Sequence, residues 1–302
     1  MEYDYPIKSE NLTLPGTLQL PDSNNNKHIL ALFIHGSGPH DRDESYHDNR
    51  PFKDIAIGLA EHGIASYRFD KRTLVAPLLF INDDYTVDDE VCKDIIGIVN
   101  YFHSNDTFKT YKIILIGHSL GAMLIPRIAD SIRDKINAAV MLAAPARSFQ
   151  DILLEQVKYL YNLHPDEETV KKEEVKAFTT AIKYLDSDNF NVLSPKDSLP
   201  LHLPASYWLS LKNYDQITVA KRVLVPLLII QGEHDYHVTM KDFELWKENL
   251  KDNKLVELKS YPKVNHFLFE TEQMSVPEDY ENKWRVASYL INDIAQWILR
   301  LR

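Results

Sequence analysis

The stretch "IILIGHSLGAML", from Ile113 to Leu124, decides how the rest of the chain is interpreted. Its first four residues are branched and apolar, which favours a buried β-strand, and the run "LGAMLIPRIADSI" that follows Ser119 has a helical pattern. Ser119 therefore lies at a strand-to-helix turn, between Gly117 and Gly121. A strained turn crowds its flanks, so both neighbours must lack a large side chain. The pattern predicts a hydroxyl held beside the N-terminal amides of a helix, which favour negative charge.

Short apolar runs recur along the chain, with helical patterns between them. Most are continuously hydrophobic, as expected for parallel strands that helices cover on both faces. The runs are "ILALFIH" (29–35), "IASYRFD" (64–70), "KIILIGH" (112–118), "AAVMLAA" (138–144), "PLLIIQG" (226–232) and "LVELKSY" (255–261). The opening "IKSENLTLPGTLQLP" alternates instead, which predicts an antiparallel hairpin at the sheet edge. The sequence thus predicts one α/β domain over residues 1–302, with a mostly parallel central sheet flanked by helices.

The segment 146–222 is far longer than an ordinary connection between strands. Val175, Phe178, Ile182 and Leu185 repeat at spacings of three and four, which predicts a helix. We interpret the segment as a helical cap inserted between core strands, and expect it to roof the site and limit the pocket. Its aromatic residues either line an acyl pocket or pack a local core, and the sequence leaves both open. They are Tyr159, Tyr161, Tyr207 and Trp208.

Composition excludes several classes of protein. The net charge of −10 disfavours nucleic acid and anionic membrane surfaces as partners, because phosphate binding needs clustered Lys and Arg. No apolar run approaches the ~20 residues of a membrane span, and the opening "MEYDYPIKSE" does not resemble a secretory signal. We therefore expect a cytoplasmic protein. The single Cys92 lies in a helical pattern and is interpreted as a buried structural thiol.

A second glycine-rich turn follows the first long apolar strand, in "FIHGSGPHDRD" (Phe33 to Asp43). Gly36 and Gly38 let the backbone turn sharply there. The main-chain N–H of Ser37 can then join that of Leu120 to hold an oxyanion. Both turns follow strands of the predicted sheet, and open α/β sheets bind ligands at the carboxyl ends of their strands.

Two further candidates follow later strands. Asp235 comes after the strand in "IIQGEHDYHV", and His266 follows the next strand in "SYPKVNHFLF". A carboxylate and an imidazole there can converge on Ser119, giving it a base with a fixed tautomer. Glu233 is the rival acid, being two residues from Asp235. His234 and His237 make "EHDYH" superficially metal-like, but no further ligand spacing supports a metal site, so neither a metal nor an organic cofactor is expected.

Together these motifs resemble the α/β-hydrolase superfamily, and in particular bacterial serine carboxylesterases with an "HGSGPxDRD" loop. The matching stretches are "HGSGPHDRD", "RFDKR", "GHSLG", "PLLIIQGEHDYHV" and "NHF". The resemblance implies the α/β-hydrolase fold and ester hydrolysis through an acyl-enzyme, with Ser119, Asp235 and His266 as the catalytic triad. It also implies a small-molecule ester as substrate. A thioesterase, an acyltransferase or a peptidase would use the same triad, and a non-catalytic ligand-binding homologue is a further alternative.

Other charged residues near these turns admit two interpretations. Arg42 could bind a substrate carboxylate, but pairing within its own mixed-charge loop is favoured. The same holds for Asp70, Lys71 and Arg72, which end a strand near the site. His35 and His118 adjoin the two glycine-rich turns, where we expect them to pack behind the site.

Overall fold

The computed structural model describes residues 1–82, 84–163 and 168–301. Within them, ten strands form a main sheet of eight and a separate pair. The strands are β1 (Glu2–Asp4), β2 (Ile7–Ser9), β3 (Leu12–Leu14), β4 (Gly16–Gln19), β5 (Ile29–Ile34), β6 (Ala65–Phe69), β7 (Lys112–His118), β8 (Ala138–Leu142), β9 (Leu227–Gly232) and β10 (Val256–Tyr261). The main sheet has the order β1-β4-β6-β5-β7-β8-β9-β10. It is parallel from β6 to β10, which confirms the predicted mostly parallel sheet.

The predicted edge hairpin is correct in its pairing and wrong in its place. β2 and β3 pair antiparallel, but they form the separate two-stranded sheet. The edge of the main sheet is instead β1, which pairs antiparallel with β4. The hairpin leaves the sheet because Ile7 and Leu14 are fully buried in the core that also contains Phe102 of the neighbouring helix.

Helices cover both faces of the main sheet, and its central strands β5, β7, β8 and β9 are accordingly largely apolar, unlike the edge strands β1 and β10. The helices are α1 (Pro51–Glu61), α2 (Arg72–Val75), α3 (Lys93–Ser104), α4 (Leu120–Ser131), α5 (Phe149–Leu163), α6 (Glu168–Leu185), α7 (Ala205–Lys212), α8 (Gln216–Ala220), α9 (Met240–Leu250) and α10 (Ser288–Arg300). One core lies under α1 and α10, and the other under α3, α4 and α9. Among the described helices, none is both long and apolar enough to cross a bilayer.

Between β8 and β9 the chain forms α5 to α8, within the segment expected to be a cap. Tyr207 and Trp208 are each 1% exposed and belong to the core, so the packing alternative holds for both. Tyr159 stacks on Tyr236, with ring centroids 4.7 Å apart. Tyr161 lines an apolar groove of about 500 Å³ between α5 and α6. The four aromatic residues therefore have different surroundings, and only Tyr161 borders this groove.

Candidate active site

The turn at Ser119 is strained in the way that its glycines predict. Ser119 has φ 51° and ψ −118°, a left-handed conformation that costs a non-glycine residue energy. Its N–H donates to Leu142 O at 2.9 Å, which ties the turn to β8. A Cβ at Gly121 would lie 2.4 Å from Ile34 O, and one at Gly117 would lie 2.7 Å from Gly121 O. A side chain at Gly121 would therefore push the turn away from β5, and one at Gly117 would push the start of α4 away from β7.

The loop after β5 lies directly against this turn. A Cβ built on Gly36 would be 3.3 Å from Ser119 Cβ. Ser37 is exposed, and Leu120 is the first residue of α4, where backbone amides have no partner within the helix. Among the described residues, neither the Ser37 N–H nor the Leu120 N–H donates a hydrogen bond. Both remain available to an oxygen bound next to Ser119.

His266 and Asp235 form a buried pair. His266 Nδ1 lies 2.7 Å from Asp235 Oδ2, and the two residues are 4% and 1% exposed. The other carboxylate oxygen, Oδ1, accepts the N–H groups of His237 at 2.7 Å and Val238 at 2.9 Å. Gln231 Nε2 also donates to Oδ2, at 3.1 Å. The carboxylate is thus fixed on both sides, and it orients the imidazole by its Nδ1.

The surroundings of Asp235 keep it ionised. Burial alone would raise the pKa of this carboxyl, but the charge and hydrogen bond of His266 and the loop amides outweigh burial and lower it below the ordinary value. Glu233 lies elsewhere: its Oε1 accepts a hydrogen bond from Ser260 Oγ at 2.8 Å. Of the two candidate acids, Asp235 is therefore the one in contact with His266.

The turn at Ser119 meets the His266 loop through His118. His118 Nε2 lies 3.0 Å from His266 O, and the two rings have centroids 4.6 Å apart. Ser119 Oγ makes no hydrogen bond to the described residues, so its pairing with His266 stays a prediction. Such bonds are often long in substrate-free enzymes and tighten when substrate binds.

The histidines next to Asp235 differ in their surroundings. His234 Nδ1 lies 3.0 Å from Thr271 O, whereas the His237 ring stacks on that of His266 at 4.4 Å. Burial and the neighbouring His266 hold the pKa of His237 well below its ordinary value, so it stays neutral. In the described parts of the chain, Asp235, His237 and His266 form a cluster with ligand atoms within 4.8 Å of one another. Asp235 already accepts four hydrogen bonds there, which favours the pairing with His266 over a metal.

Glu44 is a site residue that sequence reasoning missed. It is 1% exposed, and its Oε1 accepts the Gly36 N–H at 2.5 Å. Its Oε2 lies 2.8 Å from His118 Nδ1. His118 therefore does more than pack behind the site. The only signal in the sequence was an additional acid in "HDRDESYHD", which is indistinguishable from the exposed charges around it.

The remaining charged residues pair within the protein, but the expected pairing of Arg42 within its own loop is wrong, because its partners lie on other segments. Arg42 makes two parallel hydrogen bonds to Asp70, each 2.9 Å long, and also donates to Thr17. Arg72 pairs with Asp94. His35 packs between Phe52 and Phe69, and burial lowers its pKa to about 3. Burial likewise raises the pKa of the Cys92 thiol well above its ordinary value, consistent with a structural role.

The family model described as serine aminopeptidase, S33 matches residues 46–273, a range that includes Ser119, Asp235 and His266. The chain belongs to this family of α/β-hydrolases. The family assignment and the α/β-hydrolase fold confirm the resemblance seen in the sequence motifs. The loop with Gly36 and Ser37 precedes the matched range, so its position rests on the contacts described above.

This member of the S33 family is similar to three further proteins, two of which are named as esterases. Esterase EstD from Thermotoga maritima is 34% identical over 296 residues, which are 95% of this chain and 66% of EstD, so the chain spans about two thirds of that relative. The structure of Est1E from Butyrivibrio proteoclasticus has a TM-score of 0.62 at 18% identity, covering 99% of this chain and 98% of Est1E. The structure of the Pyrococcus furiosus esterase Pf2001 has a TM-score of 0.62 at 18% identity, covering 100% of this chain and 91% of Pf2001.

Proposed function

We propose that this chain is a serine carboxylesterase that hydrolyses small-molecule carboxylic esters through an acyl-enzyme. The strained Ser119 carries the proposal, because it stands at the head of α4 with Gly36 of the β5 loop against its Cβ. The similarity to EstD, a protein named as an esterase, supports ester rather than another acyl bond as the target. The α5 to α8 segment is proposed to cap this site.

In the proposed mechanism, Ser119 Oγ attacks the ester carbonyl carbon. His266 takes the hydroxyl proton at Nε2, since its Nδ1 is held by Asp235. The Ser37 and Leu120 amides donate to the carbonyl oxygen as it becomes negative. His266 then returns the proton to the leaving alcohol, which departs as the acyl-enzyme forms. A water molecule repeats these steps on the acyl-enzyme and releases the carboxylic acid.

The test is covalent labelling together with turnover. A fluorophosphonate should attach to Ser119, as located by mass spectrometry, and Ser119→Ala should lose labelling and lower kcat by about 10⁶-fold. Ser104→Ala, at the end of α3, is the matched control and should behave like the wild type. Labelling at another residue, or undiminished turnover by Ser119→Ala, would contradict the assignment of Ser119 as nucleophile. A wild-type protein that is neither labelled nor active on any ester would favour a binding protein.

A peptidase is the second candidate, because the matching family is described as a serine aminopeptidase. A panel of esters, thioesters and aminoacyl anilides separates the candidates. We expect the highest kcat/KM for carboxylic esters, and a preference for anilides would reverse the assignment. A cytoplasmic location and the lack of nucleic-acid or membrane partners stay predictions.

A further inference from the structure

Lys71 is buried beneath the loop that carries Ser37. It follows β6 and is 2% exposed. An ammonium group has three N–H donors, and here each finds an acceptor. Lys71 Nζ donates to Gly36 O at 2.7 Å, to Gly38 O at 3.0 Å and to Glu90 Oε1. A buried lysine needs such pairing to offset its desolvation, so its position is determined by this loop and by Glu90.

The geometry of the peptide bond connects Lys71 to Ser37. Gly36 C=O and Ser37 N–H belong to one trans peptide unit, in which the oxygen and the hydrogen point in opposite directions. Because the ammonium of Lys71 holds the oxygen, the Ser37 N–H must point away from it. The Gly36 N–H is held separately by Glu44, which restrains rotation of the loop about Gly36.

The support for Lys71 continues into the cap segment. Glu90, just before α3, accepts a hydrogen bond on its second oxygen, Oε2, from Tyr207 Oη at 2.6 Å. Tyr207 belongs to α7 and is 1% exposed. A chain of buried contacts therefore runs from α7 through Glu90 and Lys71 to the two carbonyl groups that flank Ser37.

We propose that Lys71 is a positioning residue that aims the Ser37 N–H at the oxyanion, with Glu90 and Tyr207 holding the lysine in place. This inference rests on the proposed function, in which the Ser37 amide stabilises the tetrahedral intermediate. Lys71 touches neither substrate nor the reacting atoms, and it acts only through the direction of this peptide group.

The decisive variant is Lys71→Met, which keeps the apolar stem and removes the three hydrogen bonds. Loss of one oxyanion donor lowers kcat by about 10²–10³-fold, so we expect a decrease of about 10²-fold with KM nearly unchanged. A trifluoromethyl ketone, whose adduct with Ser119 imitates the tetrahedral intermediate, should bind more weakly by the factor that kcat/KM loses. A general loss of structure would not make these two quantities change together.

Arg72→Met is the matched control. Arg72 is the next residue, is 7% exposed and pairs with Asp94 and Glu10, and none of its hydrogen bonds reaches the Gly36–Gly38 loop. It should lower stability while leaving kcat and ketone affinity within about threefold of the wild type, the size of a small change in hydrogen bonding. Urea unfolding of both variants shows whether their losses of stability are comparable.

Tyr207→Phe provides a milder test if Lys71→Met fails to fold. Loss of one hydrogen bond should lower kcat by about 2–10-fold at constant KM, with a parallel loss of ketone affinity. A folded Lys71→Met with kcat within threefold of wild type would overturn the inference. If that variant does not fold, an unchanged kcat in Tyr207→Phe would overturn it. Either result beside an inactive Ser119→Ala refutes only the role of Lys71, whereas an active Ser119→Ala refutes the proposed function itself.

Discussion

The carboxylate of Glu44 and the imidazole of His118 form a buried pair behind Ser119, with Oε2 and Nδ1 2.8 Å apart. Burial alone would raise the pKa of Glu44, but His118 and nearby histidines lower it to about 2. Burial alone would lower the pKa of His118, but Glu44 outweighs burial and raises it. The pair is therefore ionic over a range of pH, and it joins the Gly36 loop to the turn at Ser119.

We expect Glu44→Gln to lower the free energy of unfolding by about 3–5 kcal/mol, as is usual when one partner of a buried pair is removed. The pKa of Glu44 is lowered, so its contribution is present above the unfolded value of about 4.3 and is lost as pH falls towards 2. The pKa of His118 is raised, so its contribution is complete below about 6.5 and declines as pH rises through the raised value. The loss in Glu44→Gln should thus be largest between about pH 4.5 and 6.5.

Urea unfolding across pH measures this difference, and Asp94→Asn is its control. Asp94 pairs with Arg72, which stays charged. The stability lost in Asp94→Asn should therefore not become smaller above neutral pH. A stability loss in Glu44→Gln that did not vary with pH would contradict an ionic pair.

Asp235→Asn should lower kcat by about 10⁴-fold, because the amide removes the charge that orients His266 and can favour the wrong tautomer. Glu233→Gln is the matched control, since its partner is Ser260 and an amide oxygen can still accept that hydrogen bond. Steady-state kinetics on one ester is sufficient. A crippled Glu233→Gln beside a nearly normal Asp235→Asn would require Glu233 as the acid.

Gly121→Ala should damage both stability and turnover. Its Cβ would lie 2.4 Å from Ile34 O and 2.5 Å from His35 O, so the end of β5 must move, at a cost of about 1–3 kcal/mol. We expect kcat to fall because the Gly36 loop follows directly. Gly97→Ala in α3 is the control: its Cβ would meet Ser9 Oγ at 3.2 Å, and alanine favours the helix by about 0.5–1 kcal/mol. If thermal unfolding and kinetics do not distinguish the two variants, the close approach of Gly121 to the end of β5 does not matter for the turn.

Short and medium acyl esters should be the better substrates. Contacts with the Asp235 loop hold α5 in place, and α5 belongs to the proposed cap that limits the pocket. Tyr159 stacks on Tyr236 and donates its hydroxyl to Ser275 O at 2.9 Å, and Tyr236 stacks in turn on His237 at 4.0 Å. Values of kcat/KM for acetyl, butyryl, octanoyl and palmitoyl esters test this. Tyr159→Leu should shift the preference towards longer chains. A wild-type maximum at palmitoyl would show that the cap opens widely.

The sequence alone determined which predicted strand each candidate site residue follows. Glycine spacing around Ser119, the glycine-rich turn at Gly36 and the residues after two later strands are local patterns. These patterns are sufficient to predict where the residues lie. A crowded turn excludes side chains, and parallel strands bring their carboxyl ends to one edge of the sheet. The fold class followed from the same apolar runs.

Tertiary structure decided the rest. The Ile7 and Leu14 hairpin left the main sheet because a core under α3 could bury both residues. Glu44, Lys71 and Glu90 lie in charged stretches that resemble solvent-exposed surface, yet all three are at most 5% exposed. Whether a charge is buried depends on which distant segments close over it and supply partners, such as His118 for Glu44 and Tyr207 for Glu90. Those partners are far apart along the chain, so local sequence patterns do not reveal them.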